Sequence, residues 1–134
     1  MISAKFLCDT SIISELSHPN PNPGVAQWAA DVSAIALSVI TLEEIFYGLA
    51  WKPNPRVRAW FEEFLDSHCY VLPIAAEVAQ RAGELRAQLQ WQGKPRSQAD
   101  MTIAATAQIH KLTIVTRNSR DFEGCGIPLL NPFC

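Results

Sequence analysis

The chain has 134 residues, 49% hydrophobic and 18% charged, with a formal net charge of −2. That suffices to enclose a core without staples, so one domain over residues 1–134 is expected, and the whole-molecule field gives no sign of a nucleic-acid binder. No apolar run approaches the roughly 18 residues that span a membrane, and the stretch before Asp9 is too short for a secretory signal.

Cys8, Cys69, Cys125 and Cys134 form no C-x-x-C pair and have no His at zinc-ligand spacing. They are read as reduced thiols of a cytoplasmic protein, two of them in the core. His18, His68 and His110 are isolated and are assigned surface or structural roles.

In chain order, KFLC is a short strand ending at Asp9, and Ile12, Ile13 and Leu16 put SIISEL on a helix. Pro-rich SHPNPNPG (17–24) reads as turns. AIALSVI (34–40) is a second strand feeding a helix over 41–51, with Leu42, Ile45, Phe46 and Leu49 on one stripe. After the turn KPNP, a helix over 56–67 is marked by Val57, Trp60, Phe61, Phe64 and Leu65. CYVLPI (69–74) is a strand, and residues 77–93 form an amphipathic helix stopped by Gly93 and Pro95. A helix over 97–111, the strand LTIVT (112–116) and a last short strand in IPLLN (127–131) complete the chain. Continuous apolar strands alternating with helices imply a parallel sheet covered on both faces, hence the α/β class. In such sheets ligand chemistry gathers outside the carboxyl ends of the strands.

Acids stand at those ends. Asp9 follows the first strand, Glu44 sits at the third position of the helix begun by Thr41, Asp100 lies three residues after Ser97, and Asn118 and Asp121 follow LTIVT. Each has a local explanation: Thr41-x-x-Glu44 is a capping box, Ser97-x-x-Asp100 resembles one, and Asp9 can cap its helix. An acid in a first helical turn gains roughly 0.3–1 kcal/mol from the helix dipole. Capping does not ask for small or apolar neighbours on the same face. Yet Asp100 shares its face with Ile103, Ala104 and Ala107, and Glu44 with Thr41 and Gly48, whereas Glu43 is assigned to solvent beside Tyr47 and Ala50. Carboxylates brought together repel unless a cation lies between them, and hard oxygen donors suit Mg²⁺ or Mn²⁺.

In order and spacing, FLCDTSIISEL, SVITLEEIFYG, QADMTIAATAQIHKLTIVTRNSRDFEG and LLNPF resemble the PIN-domain ribonucleases, especially the VapC-type toxins of type II toxin–antitoxin modules. The likeness runs nearly end to end. It implies a three-layer sandwich with a central, mostly parallel sheet of four to five strands flanked by helices. It also implies a metal-dependent endoribonuclease using Mg²⁺ or Mn²⁺, a VapB-type antitoxin partner and a homodimer. The family's first acid falls on Asp9, its helix-borne Glu on Glu44 and its third acid on Asp100, and these three are expected to hold the metal. The fourth position is open: many members carry an acid where Asn118 stands, others an acid where Asp121 stands. Thr10 and Thr116 are expected hydroxyl helpers.

On this reading water attacks an RNA phosphodiester in line, without a protein nucleophile. Lys94, Arg96, Arg117 and Arg120 are candidate substrate contacts together with Thr10, and Lys52, Arg56 and Arg58 form a further basic cluster. Trp51, Trp60 and Trp91 are assigned to core or interface rather than to base stacking. The helices over 41–51 and 56–67 carry more large apolar side chains than one small core needs, which fits a partner surface. Two alternatives stay open. One is a PIN-like module that binds RNA or a protein without cutting, which Asn118 allows. The other is a phosphate-transferring enzyme with Asp9 as nucleophile, which predicts an acid where Ser11 stands.

Overall fold

A computed structural model describes residues 4–134. Strands β1 (Phe6–Cys8), β2 (Ile35–Ser38), β3 (Cys69–Leu72), β4 (Thr113–Val115) and β5 (Leu129–Leu130) form one sheet in the order β3-β2-β1-β4-β5. Every pairing is parallel, with Leu7 level with both Ala36 and Ile114. Side chains leave the sheet alternately. Leu7, Ala36 and Ile114 enter one core, while Cys8, Ile35, Leu37 and Val115 enter the other. Both faces are dry, so the strands read as unbroken apolar runs rather than alternating ones.

Helices α1 (Thr10–Leu16), α2 (Pro23–Ala30), α3 (Val39–Trp51) and α4 (Pro55–His68) cover the face bearing Cys8, through Ile12, Ile13, Val25, Leu49 and Phe61. Helices α5 (Ala76–Trp91) and α6 (Gln98–His110) cover the opposite face through Val78, Leu85, Leu89, Met101 and Ala104. The three layers match the implied sandwich. In α6 every residue from Met101 to Ala107 is buried, so the helix is enclosed on all sides over about two turns. Cys8 and Cys125 lie in the core, Cys69 is half-buried and Cys134 exposed. Among the described residues no helix is long and apolar enough to cross a membrane.

Two local expectations are corrected. Helix α3 starts at Val39, not Thr41, because Ser38 at the strand end already offers a capping oxygen to the Ile40 N–H at 3.1 Å. Val39 and Ile40 therefore leave the expected strand. Thr41 is a fully buried residue inside the first turn, and the Thr41–Glu44 capping box does not form. The Pro-rich segment read as turns ends in a helix. Asn22 caps α2, with Pro23 at its first position, where the missing proline N–H is not needed. A 3-10 turn at Ser119–Phe122, anchored by buried Phe122, was not anticipated.

The Asn22 side chain also fastens the end of the chain. Its Oδ1 accepts from the N–H groups of Gly24 at 3.0 Å and Cys134 at 3.2 Å, and its Nδ2 donates to the Cys134 carbonyl at 3.1 Å. Gly24 is needed for this approach, since a Cβ there would lie 2.2 Å from the Pro132 carbonyl oxygen. Backbone cannot yield as a flexible side chain can. Gly24→Ala is expected to cost about 1–3 kcal/mol, measured as a lower urea midpoint at unchanged slope.

Candidate active site

The order of the sheet reverses at β1, with β2 and β3 on one side and β4 and β5 on the other. Such a reversal opens a crevice outside the strands' carboxyl ends. Asp9 follows β1 directly and Thr116 follows β4, so the two meet at the floor of that crevice. Asp9 is 8% exposed, and its N–H continues the ladder to the Val115 carbonyl at 3.1 Å. Its carboxylate caps α1, accepting at Oδ1 from the Ser11 N–H at 3.0 Å and from the Ser11 hydroxyl. Oδ2 accepts from the Thr116 hydroxyl. Both hydroxyls are themselves held by the turn after β4: Arg117 N–H donates to Ser11 Oγ at 3.2 Å, and Asn118 N–H to Thr116 Oγ1 at 2.9 Å. Each oxygen of Asp9 thus reaches that turn through one hydroxyl, and the carboxylate plane is fixed. Ser11 was not singled out in the sequence. Its signal was available, as a Ser two residues after a capping Asp is a recurrent turn pattern.

Glu44 enters from α3. Thr10 Oγ1 donates to its Oε1 at 2.6 Å, so Thr10 serves the acid directly. Glu44 is as exposed as Glu43, contrary to the expected contrast, and what sets it apart is the Thr10 bond. Asp100 heads α6, where Ser97 accepts its N–H at 3.0 Å as expected of a cap. Asp121 stands in the 3-10 turn, its N–H donating to the Asn118 carbonyl at 3.0 Å.

Asp100 reveals how these groups bear on one another. Partial burial raises its carboxyl above the ordinary value, and the charges of Asp121, Asp9 and Glu44 push the same way, against a hydrogen bond from Ser97. Of the three charges, that of Asp121 weighs most. The structure therefore brings all the expected acids within electrostatic reach of Asp100. Asn118 contributes its backbone to the floor of the crevice.

The donor set fits a hard divalent ion. It consists of carboxylates and hydroxyls, and the ion pairs among the described residues, Arg58–Glu62 and Arg81–Glu84, involve none of these acids. Among the described residues no group of three or more His, Cys, Asp or Glu side chains stands together closely enough to hold an ion as it is, so an ion here would need water and substrate oxygens to complete its ligands. An open set suits Mg²⁺, which keeps water and shares substrate phosphate rather than filling an all-protein cage.

The basic residues divide. Arg96 turns back to the carbonyls of Pro95 and Glu123 at 3.4 and 3.5 Å, and Arg117 lies 4.7 Å over the Phe133 ring. Arg56 donates to the Ser17 carbonyl at 3.0 Å, and Arg58 covers the Phe46 ring. Lys94 and Arg120 stay exposed. Trp60 stacks on Phe64, whereas Trp51 and Trp91 are exposed, as are all three histidines.

A raised carboxyl means that folded Asp100 holds its proton more tightly than the unfolded chain does. Its ionisation therefore lowers stability as pH rises through the raised value. Asp100→Asn is expected to raise Tm at pH 7 in chelator, with the gain shrinking as pH falls towards about 4, where the unfolded carboxylate also protonates. A lower Tm at pH 7 would contradict the raised carboxyl.

Residues 6–124 match the family model of the PIN domain. The chain is 34% identical over 136 residues to the VapC ribonuclease Y4jK of Sinorhizobium fredii, covering 96% of this chain and 97% of that protein. It aligns with the crystal structure of FitAcB from Neisseria gonorrhoeae at a TM-score of 0.82 and 32% identity, over 95% and 97% of the two chains. A toxin–antitoxin complex from Klebsiella pneumoniae aligns at 0.72 and 28% identity, over 98% of each chain. The chain, with its reversal-point acids and end-to-end match, belongs to the PIN-domain family.

Proposed function

We propose that this protein is a Mg²⁺- or Mn²⁺-dependent endoribonuclease, the toxin of a type II toxin–antitoxin module, held in check by a VapB-type antitoxin. The carrying observation is that Asp9, Glu44 and Asp121 all bear on the half-buried Asp100 at the crevice, with no ion pair to any of them among the described residues. A relative named as a ribonuclease and a structural neighbour described as a toxin–antitoxin complex support the reading. It includes a cytoplasmic setting and a homodimer.

Asp9, Glu44 and Asp100 would hold the ion, with Asp121 beside them. When bound, the ion supplies Lewis-acid polarisation of the scissile phosphate and offsets charge that develops on its oxygens. The chain's own part is positional. Ser11 and Thr116 keep the Asp9 carboxylate in one plane, and Thr10 does the same for Glu44. Exposed Lys94 and Arg120 can meet flanking phosphates, which places the strand without reading its bases.

A groove of about 190 Å³ between α1, α3 and α4, lined by Thr10, Ile13, Glu44, Gly48 and Trp60, reaches Glu44 and its Thr10 partner. Tyr47 and Trp51 stand exposed on the same helix as Glu44, at 64% and 71%. An antitoxin segment seated there, with an Arg reaching the carboxylates, would compete with metal.

The test is cleavage of structured RNA by purified, antitoxin-free protein with Mn²⁺. Asp9→Asn and Asp100→Asn are each expected to lower the rate about a hundredfold or more, given the several kcal/mol such an ion contributes, and chelator should abolish cleavage. Cleavage that survives both would contradict the metal mechanism. RNA binding without cleavage would favour the non-cutting module that Asn118 keeps open.

A further inference from the structure

A separate cavity of about 410 Å³ lies between α5 and α6, at the turn of α6 that carries Asp100. This is within the range of about 300–1,000 Å³ typical of small-ligand sites. Ile40, Ile74, Ala79, Ala82 and Ala99 give it apolar walls, and Arg86 and Gln98 give it polar ones. Thr102 also lines it, but its hydroxyl is already committed to the Gln98 carbonyl at 2.8 Å. Gly83, in the middle of α5, borders the same space, and a Cβ added there would meet nothing within 4 Å. Glycine in a helix interior costs roughly 0.5–1 kcal/mol relative to alanine, and here no neighbour requires it.

Resting on the ribonuclease reading, we propose that this cavity seats the base of a nucleotide next to the scissile phosphate, with Arg86 on that nucleotide's phosphate. Three observations carry it. Both acid-bearing helices border the cavity: Gln98 and Ala99 belong to the first turn of α6, which also carries Asp100, and Ile40 stands one helical turn before Glu44 on α3. Its aliphatic walls suit the face of a base, and the exposed Gln98 amide offers both a donor and an acceptor to a base edge. Finally, the acids repel an approaching phosphate, so a flanking cation is needed. Arg96 and Arg117 are turned to other contacts, whereas Arg86 is exposed and in no ion pair among the described residues.

Gly83→Leu fills the cavity at a solvent-open helix position, where Leu is the better helix former, so the fold should hold with an equal or higher Tm. The experiment is cleavage of a randomised single-stranded RNA pool with Mn²⁺, with the new ends sequenced and KM measured. Wild type should show a base preference at one position flanking the cut. Gly83→Leu should flatten that preference and raise KM about tenfold, the scale of discrimination by an apolar pocket, while Arg86→Gln should raise KM and keep the preference. An unaltered preference and KM in Gly83→Leu would overturn the proposal. So would conversion of a wild-type dimer to monomers by Gly83→Leu in sedimentation, which would give the cavity to a second copy. If wild type cuts no RNA, the ribonuclease reading fails separately. Anisotropy with the same pool then decides the cavity: binding weakened in Gly83→Leu supports it, and unchanged binding overturns it.

Discussion

A nearly buried carboxylate must be hydrogen-bonded or give up its charge, and the crevice depends on how Asp9 meets that demand. Ser11 and Thr116 donate one to each oxygen, and both hydroxyls take N–H groups from the turn after β4. The arrangement works only in one register. Cys8 pairs with Val115, so the residues that follow, Asp9 and Thr116, emerge level with each other. A slip of one residue would turn Thr116 to the other face of the sheet and leave Oδ2 without its donor. Strand pairing, helix capping and site geometry are thus one constraint seen at three scales.

Against that order stands a repulsion. Burial of α6 from Met101 to Ala107 fixes where its first turn, and so Asp100, sits, and there partial burial, followed by the charges of Asp121, Asp9 and Glu44, raises its carboxyl. The packing that buries α6 also holds a carboxylate where its charge is unwelcome. Stability given up at such a place is commonly the mark of function, and a divalent ion is the simplest partner that would relieve it.

Much of this was legible in the residues. The α/β class follows from strands such as IALS and TIV, which have no polar alternation because both faces are covered. Ser97 and Asp100 announced the start of α6 correctly. The start of α3 was harder: Ser38 and Thr41 are both competent caps, and only the length of β2 decides between them. The turn that joins Ser11 to Asp9 is local and visible, whereas the Arg117 N–H that holds the Ser11 hydroxyl comes from the other end of the sequence. The same holds for Arg96 and Arg117, which look like free phosphate contacts in sequence but fold onto Glu123 and Phe133. Local chemistry is visible along the chain, whereas competition among distant partners is not.

The central claim is that the acids at the reversal point form a divalent-metal site. Mn²⁺ titration of metal-free protein, followed by the loss of the free-ion electron paramagnetic resonance signal, tests it without reference to any RNA. Saturable binding that Asp9→Asn weakens about tenfold or more, the scale of losing support at a metal site, is the predicted result. Equal uptake by both proteins, or no saturable uptake by either, would contradict it.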